Sequence, residues 1–206
     1  MSFFHNSVMG DIKYKKYNME KYKGLPLINL DVYDDTPGIE IISLVDFPAV
    51  ERNFIALAAE KVMLKADDER HVVTGVALIP DQKIYRRDEN GEYYISFSKD
   101  AIERIATKFF ADHNSTNANL MHEVAVDGCV YFESYLTDKA RGIYPTDFGE
   151  LPDGSWVVSC KVLNPEVWQL VKDGVLRGFS VEGVCREAKT EITSVEELME
   201  YLNNIK

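Results

Sequence analysis

Apolar residues recur along this chain in two rhythms, an alternation that suits strands and a three-to-four spacing that suits helices. Residues 38–46 (GIEIISLVD) read as a strand that stops before Phe47 and Pro48. Residues 71–80 (HVVTGVALIP) and 92–97 (EYYISF) are rich in β-branched and aromatic residues, and the turn-like DENG before the second predicts that the two pair as a hairpin. Ser98 then stands as the cap of a helix over 99–110, on which Ala101, Ile102, Ile105, Ala106 and Phe109 form one apolar stripe. Residues 119–126 (NLMHEVAV), the Asp127-Gly128 pair and residues 129–136 (CVYFESYL) predict a second hairpin. A strand over 155–163 follows, then a helix opened by Asn164-Pro165 and closed by Gly174, then a strand candidate over 176–185 (LRGFSVEGVC). Ser194 and Glu197 form a capping box for a C-terminal amphipathic helix over 194–205, with Val195, Leu198, Met199, Leu202 and Ile205 along one face.

Six or more strands with two or three helices and no alternating βαβ rhythm argue against a doubly wound parallel sheet. The pattern predicts an α+β domain, a mostly antiparallel barrel or sandwich with peripheral helices. The first 37 residues lack sustained periodicity and end in the loop signal DVYDDTP. They are expected to be a flexible leader or propeptide, with the folded domain running over 38–206. Residues 49–65 are apolar-rich and ambiguous between helix and strand.

Composition narrows the function. At 206 residues and 46% hydrophobic content, the chain can bury the core of one ordinary domain. No apolar run approaches the roughly 18 to 20 residues that span a bilayer, and the N-terminus lacks the apolar centre of a secretory signal, so neither membrane nor export is expected. Cys129, Cys160 and Cys185 are too few and too irregularly spaced for a disulfide framework or a zinc site. A net charge of -11 disfavours nucleic acid, whose phosphates require a basic surface. The Walker loop, the dinucleotide fingerprint, HExxH and the GxSxG elbow are all missing, so no metal or organic cofactor is expected.

A serine in an unusual setting remains, with four histidines from which to find its base. Ser180 stands between Gly178 and Gly183, which permit close backbone approach or a bulge, and alternation puts Phe179 and Val181 on one face with Ser180 and Glu182 on the other. Of the histidines, His122 alone falls inside an apolar strand beside a tight turn. With a two-residue Asp127-Gly128 loop, Val126 faces Cys129 and His122 faces Glu133, close enough for the carboxylate to take the Nδ1 proton and free Nε2 as a base. That pairing depends on register: a loop one residue longer puts Glu133 on the other face. Asp127 and Glu123 stay open as alternatives.

The segments LMHEV (120–124), Glu133-Ser134, GSW (154–156), WQLVKDG (168–174) and GFSVEG (178–183), in this order and spacing, resemble bacteriophage prohead proteases, most of all the XkdF-type serine proteases. The upstream IISLVDFPA (41–49) extends the likeness to roughly residues 38–185. The resemblance implies a fold like that of the herpesvirus assemblins, a closed antiparallel barrel with surrounding helices. It also implies a protease that acts inside the immature capsid, in the host cytoplasm, on itself and on phage scaffold and major capsid protein extensions. His122 and Ser180 match the family's base and nucleophile, whereas Glu133 as third member rests on the hairpin register. Homo-oligomerisation is left open. Two other readings stand beside this one: a prohead structural or scaffold-associated protein that keeps the fold without activity, and a host-type regulatory protease.

Overall fold

A computed structural model describes residues 24–46, 64–89 and 91–188, and builds from them twelve strands and two α-helices. In chain order these begin with β1 (Leu27–Asp31), β2 (Gly38–Val45), β3 (Lys65–Asp67), β4 (Val72–Leu78), β5 (Ile84–Asp88), β6 (Gly91–Phe97) and α1 (Lys99–Ala111). There follow β7 (Ala118–Leu120), β8 (Val124–Val126), β9 (Cys129–Leu136), β10 (Trp156–Val162), α2 (Pro165–Lys172), β11 (Gly178–Val184) and β12 (Arg186–Glu187). The expected C-terminal helix over 194–205 and the first 23 residues lie outside the described residues. β1 stands ahead of the expected domain boundary at residue 37 and pairs with both β6 and β12.

The strands form three four-stranded sheets, in the orders β12-β1-β6-β5, β3-β4-β10-β9 and β11-β2-β7-β8. All pairings are antiparallel except β1 with β6 and β2 with β7. This corrects the expected closed barrel, because none of the three sheets closes on itself. β4 and β11, from two different sheets, pack against each other without pairing. The first half of β4 is already paired with β3. Beyond it, the ring of Phe179 occupies the space over Gly75, where a Cβ would come within 3.0 Å of Phe179 Cδ2. The two sheets therefore meet face to face through side chains.

The predicted hairpins differ for equally local reasons. β6 pairs with β5, not with β4, which instead pairs with β10. The β5 sequence IYRRD carries two arginines that an exposed edge strand tolerates, and they masked it from an apolar pattern. In the second case β8 folds back on β7, and β9 leaves for another sheet to pair with β10. Asp127-Gly128 serves as the crossing between sheets and is tied to the end of β10, where Leu163 N donates to Gly128 O at 2.6 Å.

Both helices start as their caps predict. Ser98 Oγ accepts from Ala101 N at 3.1 Å, and Asn164 Oδ1 accepts from Glu166 N and Val167 N at 2.9 and 3.2 Å. Gly174, at φ +66, follows α2 in the left-handed conformation that ends a helix. α1 is not peripheral: it packs against β1, β2 and β10, one strand from each sheet. Phe109 on its buried face meets Trp156 and Tyr131 edge-on, at centroid distances of 5.6 and 6.2 Å, and Tyr131 in turn meets Phe179 at 5.7 Å. The Tyr131 hydroxyl donates to Ile42 O at 2.7 Å, so the aromatic chain joins the β9 sheet to the β2 sheet and leaves no buried polar end unpaired.

Candidate active site

The β11-β2-β7-β8 sheet has an apolar face and a polar one. Ile42, Leu44 and Phe179 point into the core, all nearly or wholly inaccessible. Strand alternation sends their neighbours the other way. Ser180 lies directly opposite Ser43 on the antiparallel β11/β2 ladder, and Asn119 lies opposite Ser43 on the parallel β2/β7 ladder. Ser180, Ser43 and Asn119 thus form a row across three strands, at 4%, 0% and 6% exposure. Glu182, two residues after Ser180, shares their face. A bulge after Glu182 depends on Gly183, because a Cβ there would lie 2.6 Å from Ile39 Cα.

His122 reaches this row from a turn, not from a strand. Glu123 N donates to Leu120 O at 3.0 Å, closing a four-residue turn whose central residues, Met121 and His122, both have positive φ, 55° and 64°. That pair of dihedrals is the signature of a type I′ turn, normally made of glycine, asparagine or aspartate. Holding two ordinary side chains there costs about 1 kcal/mol or more each. The end of β2 keeps the turn in place: Met121 N donates to Leu44 O at 3.1 Å, and Met121 Sδ accepts from Asp46 N at 3.3 Å.

The turn delivers His122 Nδ1 to 2.7 Å from Glu182 Oε1 and 3.0 Å from Ser43 Oγ. The same Glu182 oxygen accepts from Ser43 Oγ at 2.7 Å and from Asn119 Nδ2 at 2.5 Å. Burial pushes the Glu182 carboxyl up, but the hydrogen bonds from Asn119, Ser43 and His122 together outweigh it and hold it below the usual glutamate range. With the Ser43 hydrogen on the carboxylate, the compatible tautomer of His122 carries its proton on Nδ1 and leaves Nε2 as an acceptor.

Of the three residues singled out from sequence, the sheet brings His122 and Ser180 to one face. No hydrogen bond joins them among the described residues. Glu133 stands apart, exposed on β9 opposite Ser159. The expected pairing of His122 with Glu133 is therefore corrected, since the β8/β9 hairpin on which it rested does not form, and the carboxylate at Nδ1 is Glu182. Neither Asp127 nor Glu123 has a hydrogen bond or ion pair to His122 among the described residues. Sequence reasoning missed Ser43, Asn119 and the contact of Glu182 with His122. One signal for Glu182 was present in the alternation of Ser180, Val181 and Glu182. A cavity of ≈ 320 Å³ of mixed polarity, lined by Val181, Ile39, Ile95, Gln82 and Arg86 among others, holds none of these groups.

A serine, a histidine and a carboxylate converging on one sheet face are the side-chain set of a serine hydrolase. The chain belongs to the family described as "Putative phage serine protease XkdF", whose profile matches residues 59–189. That stretch contains Asn119, His122, Ser180 and Glu182 but not Ser43. Two proteins of Bacillus subtilis (strain 168) are similar: YqbD, described as uncharacterized, at 28% identity over 155 residues, 69% of this chain and 43% of its own length; and XkdF of the phage-like element PBSX, at 27% over 159 residues, 70% of this chain and 52% of its own length. The chain spans about half the length of these curated relatives. No solved structure matches it. Among the described residues no helix is long and apolar enough to cross a membrane.

Proposed function

We propose that this chain is a serine endopeptidase of phage prohead maturation, with Ser180 as nucleophile, His122 as general base and Glu182 as the carboxylate that orients the base. The observation that carries this reading is the 2.7 Å contact of Glu182 with His122 Nδ1, on the same strand face and two residues from Ser180. His122 Nε2 takes the Ser180 hydroxyl proton as Oγ bonds to the peptide carbonyl carbon. The imidazolium, balanced by Glu182, then returns that proton to the leaving amine as the C–N bond breaks. Water, deprotonated by His122, releases the acyl group and restores Ser180. For the first step Nε2 must close on Ser180 Oγ, and catalytic contacts of this kind commonly tighten only around bound substrate. The substrates in this reading are phage scaffold protein and the extensions of the major capsid protein, inside the prohead, together with the chain itself.

The missing Ser180–His122 hydrogen bond is what favours a second reading, a prohead structural protein that keeps the site without turning over. A fluorophosphonate separates the two. The active reading expects one adduct per chain, mapped to Ser180 and absent in Ser180→Ala, and truncated capsid or scaffold products that vanish in the same variant on co-expression. An unlabelled chain, with uncut partners in assembled proheads, would establish the structural reading. A label on Ser43 would move the nucleophile to β2.

A further inference from the structure

We infer that Ser43 and Asn119 are positioning residues of this site, whose two hydrogen bonds hold the Glu182 carboxylate against Nδ1 of His122. The inference rests on the proposed Ser180–His122–Glu182 assignment and extends it to two residues on neighbouring positions of the same sheet face.

Three donors converge on a single carboxylate oxygen, Glu182 Oε1: Ser43 Oγ at 2.7 Å, Asn119 Nδ2 at 2.5 Å and His122 Nδ1 at 2.7 Å. A glutamate side chain has three rotatable bonds, and one contact from His122 would not fix it. Two further bonds from neighbouring strands do, because Ser43 and Asn119 are themselves fixed at paired positions of the β2/β7 ladder. Asn119 bears a visible cost for this. Its Oδ1 is buried with no hydrogen-bond partner, although its Nδ2 is bonded. Turning the amide over would satisfy neither end, since it would set Oδ1 against the carboxylate oxygen. A buried orphan acceptor is unusual enough to require a reason, and the reason here is the aim of its amide group. The titratable side chain that acts on Glu182 is His122, and no other contributes to its shift among the described residues.

Ser43 adds a second constraint. Its one hydroxyl hydrogen is on Glu182, so its oxygen faces His122 Nδ1 as an acceptor at 3.0 Å. Both partners of Nδ1 then require a proton on it, which excludes the tautomer that is useless as a base at Nε2.

The test uses Ser43→Ala and Asn119→Leu in the full chain, with two readouts. Carboxyl ¹³C NMR follows the titration of Glu182, and fluorophosphonate labelling measures the reactivity of Ser180. We expect the Glu182 midpoint to move up in both variants, and labelling of Ser180 to slow by about tenfold or more, with thermal unfolding still cooperative. A Glu182 midpoint that stays put in both folded variants overturns the inference, whatever happens to labelling. If the midpoint rises as expected but wild-type Ser180 never reacts, the clamp stands as a structural device and the protease assignment fails on its own account. Asn119→Asp sharpens the result: it keeps the shape, adds a like charge beside Glu182, and is expected to raise the midpoint further than Asn119→Leu.

Discussion

Replacing Glu182 by glutamine tests the orienting carboxylate with the least disturbance of shape. Ser43 and Asn119 both donate to the oxygen that faces His122, so they select the amide oxygen, not its nitrogen, for that position in Glu182→Gln. The Nδ1 proton keeps an acceptor, the tautomer survives, and what disappears is the charge. Two unit charges about 4 Å apart attract by roughly 4 kcal/mol at an effective dielectric of about 20. The side chains of His122 and Glu182 are 39% and 32% exposed, and solvent screening removes about half of that, leaving about 2 kcal/mol for the imidazolium formed during acylation. At about 1.36 kcal/mol per tenfold, the acylation rate falls about 30-fold. The assay is the second-order rate of fluorophosphonate labelling at Ser180, read by intact mass, beside cleavage of co-expressed capsid precursor. Glu133→Gln, altered on an exposed position of β9, is expected to label at the wild-type rate. A Glu182→Gln protein that labels within threefold of wild type would refute the orienting role.

Further outcomes follow from the packing. Gly183→Ala sets a methyl group against Ile39 Cα and the backbone of Gly38; it is expected to lower stability by about 1–3 kcal/mol in urea unfolding and to slow Ser180 labelling by displacing Glu182. Phe109→Ala empties the aromatic contact with Trp156 and Tyr131 and is expected to cost about 3–5 kcal/mol, measured by the same unfolding curves. Glu182 titrates below its ordinary value in the folded chain, so its contribution to stability is present above the unfolded glutamate value of about 4.3 and is lost as pH falls through the folded value. The stability gap between wild type and Glu182→Gln is therefore expected to be full at neutral pH and to narrow on acidification. A gap that widens below pH 4 or so would reverse the sign.

Local chemistry made part of this legible in the sequence. Ser98 and Asn164 announced both described helices, and the runs that became β2, β4, β6, β10 and β11 were strong enough to read alone. Of the site residues named from sequence, His122 and Ser180 came to lie on one sheet face, whereas Glu133 lies on β9 in another sheet. The error traces to one turn. A sharp reversal at Met121-His122 carries none of the glycine, asparagine or aspartate that such a turn advertises, and the stretch from Asn119 to Val126 therefore read as one continuous strand. Asp127-Gly128 looked like a hairpin loop and proved to be a crossing between sheets. Ser43 and Glu182 lie 139 positions apart in the chain, and no local pattern says which of several apolar strands will pair. The closed barrel failed for a similar reason, since no local pattern says whether the strands will close into one sheet or divide among three.

The polar row of the β11-β2-β7-β8 sheet is assembled from segments spread over most of the described chain, and its last contributor, β11, brings Ser180 and Glu182 together on an edge. Without that strand His122 keeps its contact with Ser43 but has neither Ser180 nor the Glu182 carboxylate beside it. On the proposed assignment, a chain that stops short of β11 lacks both the nucleophile and the orienting carboxylate, and is expected to take up no fluorophosphonate.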